Sequence, residues 1–236
     1  MNLKLDKPQV ESITTLLYRQ LKRQLIIGGL KPGDSLTLKS LSDSLGVSQT
    51  PVREALLRLV SERLLEAVHG RSITVPVLTP DTFTELREIR IQLETLAMER
   101  AVPHLSQADL RALEAIQADY MTYRESRDYE GILSTNIDFH FRIYRAANMP
   151  NLLAMIENLW AQTGPYGGFM YRTPTTEHPD GHPHDHILAA LKNGDTRAAV
   201  AHVRTDVERH GTRMLEYLRS QGHFDSASAA SRAVAA

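Results

Sequence analysis

The chain has 236 residues, of which 42% are hydrophobic and 23% are charged, a composition typical of a globular protein with one large or two modest domains. It contains no cysteine, which excludes disulfide bonds and thiolate metal sites. No apolar run reaches the roughly 18 residues that a membrane span needs. Residues 1–9, MNLKLDKPQ, lack the apolar core of a signal peptide. We therefore expect a cytoplasmic protein that contacts no membrane.

The charges are distributed unevenly along the chain, although the net charge is only −1. Residues 1–79 carry 11 lysines and arginines against 7 aspartates and glutamates, whereas residues 80–236 carry 16 against 21. The phosphates of nucleic acids attract a basic surface and repel an acidic one. This division indicates a DNA-binding segment in the first third of the chain, followed by a body that avoids DNA.

Hydrophobic spacing and turn residues predict three helices and two short strands in residues 1–78. The predicted elements are helices over 11–27, 38–45 and 48–62, and strands over 64–68 and 73–77. Gly28 and Gly46 end the first two helices, and we expect Ser48 to cap the third. Two short helices joined by a turn and followed by a β-hairpin are the pattern of a winged helix-turn-helix domain.

Helical spacing of apolar residues continues from residue 79 to residue 222 and predicts about six helices without a strand. The clearest stretches are 132–147, 151–163, 184–191 and 196–218. We therefore expect a mainly α protein. It would have a winged helix-turn-helix domain over 1–78, an all-α antiparallel bundle over 79–222, and a disordered tail rich in serine and alanine over 223–236.

The third helix has a polar N-terminus of the kind that contacts base edges in the major groove. Its first residues include Ser48, Gln49, Thr50 and Arg53. A glutamine side chain can pair with adenine through two hydrogen bonds, and an arginine side chain can do the same with guanine. The alternative for Arg53 is an ion pair on the protein surface with a nearby glutamate.

The stretch LKPGDSLTLKSLSDSLGVSQTPVREALLRLVSERLLEAVHGRSITV resembles the DNA-binding domain of the GntR family, above all in the phrase LGVSQTPVREALLRL. The resemblance implies DNA contacts by residues in three places. They are Lys39 at the start of the second helix, Ser48, Gln49, Thr50 and Arg53 on the recognition helix, and His69, Gly70 and Arg71 at the wing tip. For Lys39 and Arg71 the alternative is a lysine or arginine that is simply solvated.

Two positions depart from the pattern of this family. Gln49 stands where the family usually has arginine, which implies a different base preference. Arg63 stands where the family usually has glycine at a helix end, so we expect a different helix terminus there.

The body contains most of the ten histidines of the chain, and histidine is the commonest side-chain ligand for zinc and nickel. Asn136 and His140 are four residues apart and share one helix face. His202, Asp206 and His210 form a second row of the same kind. The alternative is structural or surface histidines, including those in the segment GHPHDH, which can also form a solvated turn.

Residues 81–221 resemble the FCD domain that follows the GntR head in the FadR subfamily. The phrases that carry the resemblance are ELREIRIQLETLAMERAV, NIDFHFRIYRAANMPNLL and HILAALKNGDTRAAVAHV. The resemblance implies one divalent metal ion, such as zinc, nickel or manganese, bound by Asn136, His140, His184 and Asp206. Two of these depart from the family, which has aspartate at the position of Asn136 and histidine at that of Asp206. One carboxylate therefore remains in the set.

The same resemblance implies that Arg90 points into the metal-binding cavity, where it suits a carboxylate effector through a bidentate pair. The alternative for Arg90 is a surface ion pair with Glu94. We also expect Trp160, Tyr166 and Tyr171 to line the pocket, although aromatic side chains of this kind equally well fill a core.

The resemblance implies a transcription regulator that binds a palindromic operator in double-stranded DNA as a homodimer. It further implies a repressor whose DNA affinity responds to a small carboxylate, and no enzymatic activity. One alternative is a metal-dependent hydrolase with a DNA-binding head, although the chain shows no nucleophile motif, phosphate loop or assignable general base. The other is a DNA-binding protein with a vestigial pocket.

Overall fold

The computed structural model describes residues 12–68, 72–167, 181–220 and 222, and these residues are mainly α-helical. The helices are α1 (Ile13–Ile26), α2 (Leu38–Leu45), α3 (Gln49–Ser61), α4 (Pro80–Ala101), α5 (Gln107–Ser126), α6 (Tyr129–Ala146), α7 (Pro150–Thr163), α8 (Pro183–Lys192) and α9 (Thr196–Ser220). The strands are β1 (Ser35–Leu36), β2 (Glu66–Val68) and β3 (Ser72–Thr74). None of the described helices is both long and apolar enough to cross a lipid bilayer.

Helices α1–α3 and a small sheet form the head, which confirms the predicted winged helix-turn-helix. The sheet has the antiparallel order β1-β3-β2, with Ala67 opposite Ile73 and Ser35 opposite Thr74. The two predicted strands are present in shorter form. Strand β1 was not predicted, because two residues are too few to show an alternating pattern.

The head has its own apolar core between α1, α3 and the sheet. Its fully or almost fully buried members are Leu17, Leu25, Val52, Leu56, Leu59, Leu64 and Val75. Beside this core the Tyr18 hydroxyl donates to Oε2 of Glu62 at 2.7 Å, and the Lys22 ammonium donates to the same oxygen at 3.0 Å. These bonds tie α1 to the residue that follows α3.

Two helix ends in the head depend on left-handed backbone. Gly46 ends α2 with a φ of +65°, which glycine adopts at little cost. Arg63 follows α3 with a φ of +60°. The backbone N–H of Arg63 donates to the Val60 carbonyl, and the N–H of Leu64 donates to the Leu59 carbonyl. These two bonds form the helix end that usually has glycine at this position. The expectation of a different terminus at Arg63 is therefore wrong, because the bonding that follows α3 forces arginine into the glycine conformation.

The remaining six described α-helices form the body, and α4 lies centrally among them. It packs along most of α9 and also contacts α6 and α7, while α5 contacts α6 and α8. The largest apolar cluster lies between these helices and includes the fully buried residues Met98, Leu113, Phe139, Ile143, Ile156 and Val203.

Helix α7 joins the body to the head. Its Ala161 is buried within the head core, and Nδ2 of Asn158 donates to the backbone oxygen of Glu62 at 3.2 Å. Gly164, just after α7, lies so close to the backbone of Leu25 that a Cβ atom would not fit. A movement of α7 would therefore directly displace α1 and the end of α3.

Candidate functional site

The predicted recognition residues lie on one accessible part of the head. Ser48, Gln49, Thr50 and Arg53 are all exposed, and so is Lys39 at the start of α2. The hydroxyl of Ser48 does not cap α3, contrary to our expectation, although its backbone has the extended conformation of a capping residue.

The alternative ion pair of Arg53 does not form within the described part of the chain. Glu62 is bonded to Tyr18, Lys22 and Arg58, and Glu54 accepts the hydroxyl of Thr14 at 2.9 Å. Both neighbouring carboxylates therefore have other partners. The predicted wing-tip residues His69, Gly70 and Arg71 lie outside the described residues.

The body encloses a cavity of about 390 Å³ that is lined from all six of its helices. Three polar side chains converge in it: His140 from α6, His184 from α8 and Asp206 from α9. Their candidate ligand atoms all lie within 4.8 Å of one another. Nε2 of His140 is 3.3 Å from Nε2 of His184 and 3.2 Å from Oδ2 of Asp206. Asn136 lines the same cavity, one turn before His140.

A chain of hydrogen bonds determines which nitrogen of His184 carries a proton. The amide nitrogen of Gln117 donates to the Asp185 carboxylate at 2.9 Å, so the amide oxygen of Gln117 faces His184. That oxygen only accepts, and it lies 2.9 Å from Nδ1 of His184. Nδ1 is therefore the protonated nitrogen, and Nε2 presents its lone pair to His140. Burial lowers the pKa of His184 well below its usual range, which keeps the ring neutral.

A second chain does the same for His140. The Tyr144 hydroxyl donates to the buried carboxylate of Glu94 at 2.7 Å, so its oxygen is left to accept from Nδ1 of His140 at 3.2 Å. Burial, followed by the charge of Glu94, raises the pKa of Tyr144 well above 10, which keeps the hydroxyl protonated. Nε2 of His140 then faces both His184 and Asp206, either with a lone pair or with a second proton on the ring.

If His140 carries no second proton, three electron-pair donors face one another. The arrangement therefore requires either that proton or a cation among the three atoms. Burial by itself would raise the pKa of Asp206, but the hydrogen bond with His140 and the charge of that ring outweigh it and lower the pKa. Two imidazoles and a carboxylate are a donor set that suits zinc, nickel or manganese, and hydrogen bonds with neighbouring side chains hold both imidazoles in place.

Arg90 lies on the wall of the same cavity and is paired with Glu94. Its Nε donates to Oε1 of Glu94 at 2.7 Å, and Nη1 donates to the Thr163 hydroxyl at 3.1 Å. The guanidinium also stacks over Trp160, 4.4 Å from the ring centre. The pair foreseen as an alternative does exist, but Glu94 is completely buried rather than on the surface. Nη2 of Arg90 has no hydrogen-bond partner among the described residues.

Of the three aromatic residues expected in the pocket, one lines the cavity, one lies in the core and one is outside the described residues. Trp160 lines the cavity and donates its indole N–H to Glu94 at 3.0 Å. Tyr166 does not line it: the ring packs edge-on against Phe83, and the hydroxyl accepts the N–H of Leu78 at 2.7 Å. Burial raises the pKa of Tyr166 to about 12, as expected for a core tyrosine. Tyr171 lies outside the described residues.

Several residues of the site were missed from the sequence. Gln117 sits on the buried face of α5, where a polar residue among leucines is an available signal. His182 was expected in a structural or surface position and is buried, with its ring 3.0 Å from the Tyr120 hydroxyl. Apart from Arg90, the arginines around the cavity gave no signal, because helices far apart in the sequence contribute them.

Comparisons with known proteins assign both parts of the chain. Residues 14–75 match the family described as bacterial regulatory proteins, gntR family, and residues 85–209 match the FCD domain. The HTH-type transcriptional regulator McbR of Escherichia coli is 39% identical over 186 residues, which are 78% of this chain and 84% of that protein. The regulator YdhC of Bacillus subtilis is 30% identical over 160 residues, 67% of this chain and 70% of that protein.

The solved structures agree with these relatives. The structure of E. coli McbR/YncC has a TM-score of 0.81 at 36% identity and covers 88% of this chain and 98% of its own. A GntR regulator from Rhodococcus sp. RHA1 shares the fold with a TM-score of 0.73 at 24% identity, covering 87% and 99% of the two chains. The chain therefore belongs to the GntR family of bacterial DNA-binding transcription regulators, with an FCD domain as its body.

Proposed function

We propose that this regulator is a repressor whose affinity for its operator is lowered by a small carboxylate bound in the body cavity beside a divalent metal ion. The observation that carries the proposal is the convergence of His140, His184 and Asp206 next to Arg90. When bound, the metal would supply a positive charge that attracts a carboxylate. His140, His184 and Asp206 would hold the ion, and Asn136 is placed to offer an amide oxygen.

Arg90 supports an anionic effector. Glu94 and Thr163 fix its guanidinium, and the remaining Nη2 is left for a ligand. A guanidinium that is already held in place loses little side-chain entropy when it binds a carboxylate. Trp160 adds an apolar wall that a ligand with a carbon skeleton can contact.

Helix α7 supplies a route from the cavity to the DNA. Trp160 and Thr163 line the cavity, whereas Asn158 and Ala161 contact the head. A ligand that binds one position of α7 better than another would shift the position of the head by the difference of the two affinities. The route therefore requires only one helix with two contact faces.

We further propose that the protein is a homodimer and binds a palindromic operator. A head that presents one recognition helix reads one half-site, so two copies related by a twofold axis would read a palindrome. Sedimentation velocity on the purified protein would show a dimer of twice the 26.5 kDa chain mass. A regulator of this kind acts on the chromosome, and we accordingly place it in the cytoplasm.

The test is operator affinity in the presence of organic acids. Operator DNA would be isolated by in vitro selection, and its binding to the metal-loaded protein followed by fluorescence anisotropy with acids from acetate to citrate. We expect at least one acid to weaken operator binding by about 5- to 150-fold, and the effect to be lost in Arg90→Gln. If no acid alters the affinity, regulation by a carboxylate is wrong and the cavity is vestigial.

A further inference from the structure

The body cavity carries far more positive charge than one carboxylate requires. Six arginines line it: Arg87, Arg90, Arg124, Arg127, Arg209 and Arg213. The only acidic side chains among the described lining residues are Glu94 and Asp206. Arg90 is paired with Glu94, so five arginines remain against a single carboxylate; Arg87, Arg124 and Arg213 are half-buried, and Arg127 and Arg209 are exposed. Like charges gathered around one enclosed space repel one another unless an anion lies between them.

None of these five arginines forms an ion pair within the described part of the chain. Arg87 is the most informative, because it donates from Nη1 to the Thr212 hydroxyl at 3.1 Å while its Nε is buried with no partner. A buried N–H without an acceptor costs free energy that a bound anion would recover. Arg213, one residue after Thr212 on α9, is half-buried at the same end of the cavity.

The position of Arg87 is built into the packing of the two longest described helices. Gly211 lies buried in the middle of α9, and a Cβ atom there would collide with the side chain of Arg87. A mid-helix glycine weakens a helix, so its presence here indicates a close approach that the fold requires. The absence of a side chain at Gly211 lets the Arg87 side chain pass close over α9 to Thr212, while Arg87 also lines the cavity.

Arg87 and Arg213 lie at the opposite end of the cavity from the cation site. Glu94 and Asp206 are linked to each other through Tyr144 and His140, whereas Arg87 meets Gly211 and Thr212. Arg87 lies seven residues before Glu94 on α4, and Arg213 lies seven residues after Asp206 on α9. At 1.5 Å per residue the two ends are separated by roughly 10 Å.

We propose that the cavity takes an elongated ligand with two acidic groups, one at the cation site and Arg90 and the second at Arg87 and Arg213. The inference rests on the proposed function and narrows its effector from a carboxylate to a dianion. The second group is a carboxylate or a phosphate, because guanidinium pairs with both through two parallel hydrogen bonds. A monocarboxylate would leave the arginine end unpaired.

The test compares acids that differ only in the second charge. Binding to the metal-loaded full-length protein is measured by calorimetry for succinate, adipate and suberate and for their monoacid partners butyrate, hexanoate and octanoate. We expect at least one diacid to bind about tenfold or more tightly than its partner, the size of one charge-assisted interaction. A ω-phosphonate of the preferred chain length then tells a carboxylate from a phosphate at the second position.

Arg213→Gln should abolish the advantage of the diacid and leave the affinity for the monoacid unchanged. The matched control is Arg204→Gln, which removes the same charge from a partly exposed position on α9 that does not line the cavity, where Arg204 lies 3.9 Å from Glu208. Thermal unfolding by circular dichroism checks that each variant is folded, and Arg87→Gln provides a second disruption. The advantage should survive only in the control.

The possible failures are distinguishable. If monoacids bind and no diacid binds more tightly, or if the advantage persists in both Arg213→Gln and Arg87→Gln, the second anion position is wrong and the carboxylate proposal survives. If no acid of either kind binds the metal-loaded protein, both proposals are wrong.

Discussion

The recognition helix and the body cavity present polar side chains in opposite ways. On α3, Gln49 and Arg53 are exposed, and Arg53 forms no ion pair within the described residues. In the cavity, His140, His184 and Arg90 are each oriented by a second side chain that is itself hydrogen-bonded. Exposed side chains can adapt to a large partner such as DNA, whereas orienting bonds prepare a small site before its ligand arrives.

Because of this difference, substitutions in the two regions should have different effects on DNA affinity and on the stability of the fold. A change on α3 should alter DNA affinity without altering the stability of the fold. A change behind the cavity should alter both, because it leaves buried donors without acceptors.

The largest effect is expected behind the cavity. Glu94→Ala removes the carboxylate that accepts from Arg90, Tyr144 and Trp160, and leaves a buried guanidinium without its counter-charge. We expect a loss of about 3–5 kcal/mol in the free energy of unfolding, measured with urea. Glu99→Ala, at an exposed position on the same helix, is the control and should change stability little. A small loss for Glu94→Ala would mean that the network does not organise the fold.

On the recognition helix, Arg53→Ala should weaken operator binding by about 10- to 100-fold while urea unfolding stays unchanged. The side chain is exposed and packs into no core, so the fold does not depend on it. Arg100→Ala removes the same charge from the last turn of α4 and serves as the control. Equal losses of affinity in the two variants would show that Arg53 acts only through net charge.

The cluster of Tyr18, Lys22 and Glu62 should make the stability of the head depend on pH. Burial would raise the pKa of Glu62, but hydrogen bonds from Tyr18 and Lys22 outweigh it and lower the pKa. The ionised carboxylate therefore stabilises the fold above the unfolded-state pKa of about 4.3 and loses that contribution as the pH falls through the lower folded value.

The comparison that checks this is wild type against Glu62→Gln. At pH 7 the wild type should be more stable by about 1–2 kcal/mol in urea unfolding. The difference should shrink below about pH 4, where the carboxylate takes up its proton. A difference that is constant from neutral to acidic pH would show that the charge of Glu62 is not what matters.

The smallest effect is expected at Arg63. Its left-handed backbone is strained for any residue with a Cβ atom, so Arg63→Gly should raise the free energy of unfolding by roughly 0.5–1 kcal/mol. Arg63→Ala keeps the Cβ atom and should give no gain. If alanine stabilised the protein as much as glycine does, the gain would come from the loss of the charge.

Local chemistry explains what could be predicted from the sequence. Gly46 ends α2, and apolar residues three and four positions apart make α3, so both features act within a few residues of one another. The candidate cation site was predictable only through the family resemblance, which named four residues. The structure brings His140, His184 and Asp206 together, and Asn136 lines the same cavity.

What could not be predicted depends on contacts between distant segments. Gln117 orients His184 across 67 residues of sequence, and no periodicity signals such a bond. Whether Tyr166 fills a core or lines a pocket is decided by Phe83 and Leu78, which lie more than one helix away along the chain. Strand β1 exists only because β3 pairs with it.

We propose that the body is organised around a cation held by His140, His184 and Asp206. The most direct test is the metal content, by mass spectrometry, of protein purified without chelator. It should be compared with His184→Ala and with the control His202→Ala, whose ring stacks on His186 outside the cluster. We predict close to one zinc, nickel or manganese ion per chain in the wild type and the control, and none in His184→Ala. A wild type that holds no metal even after reloading, or a His184→Ala variant that holds as much as the control, would contradict the claim.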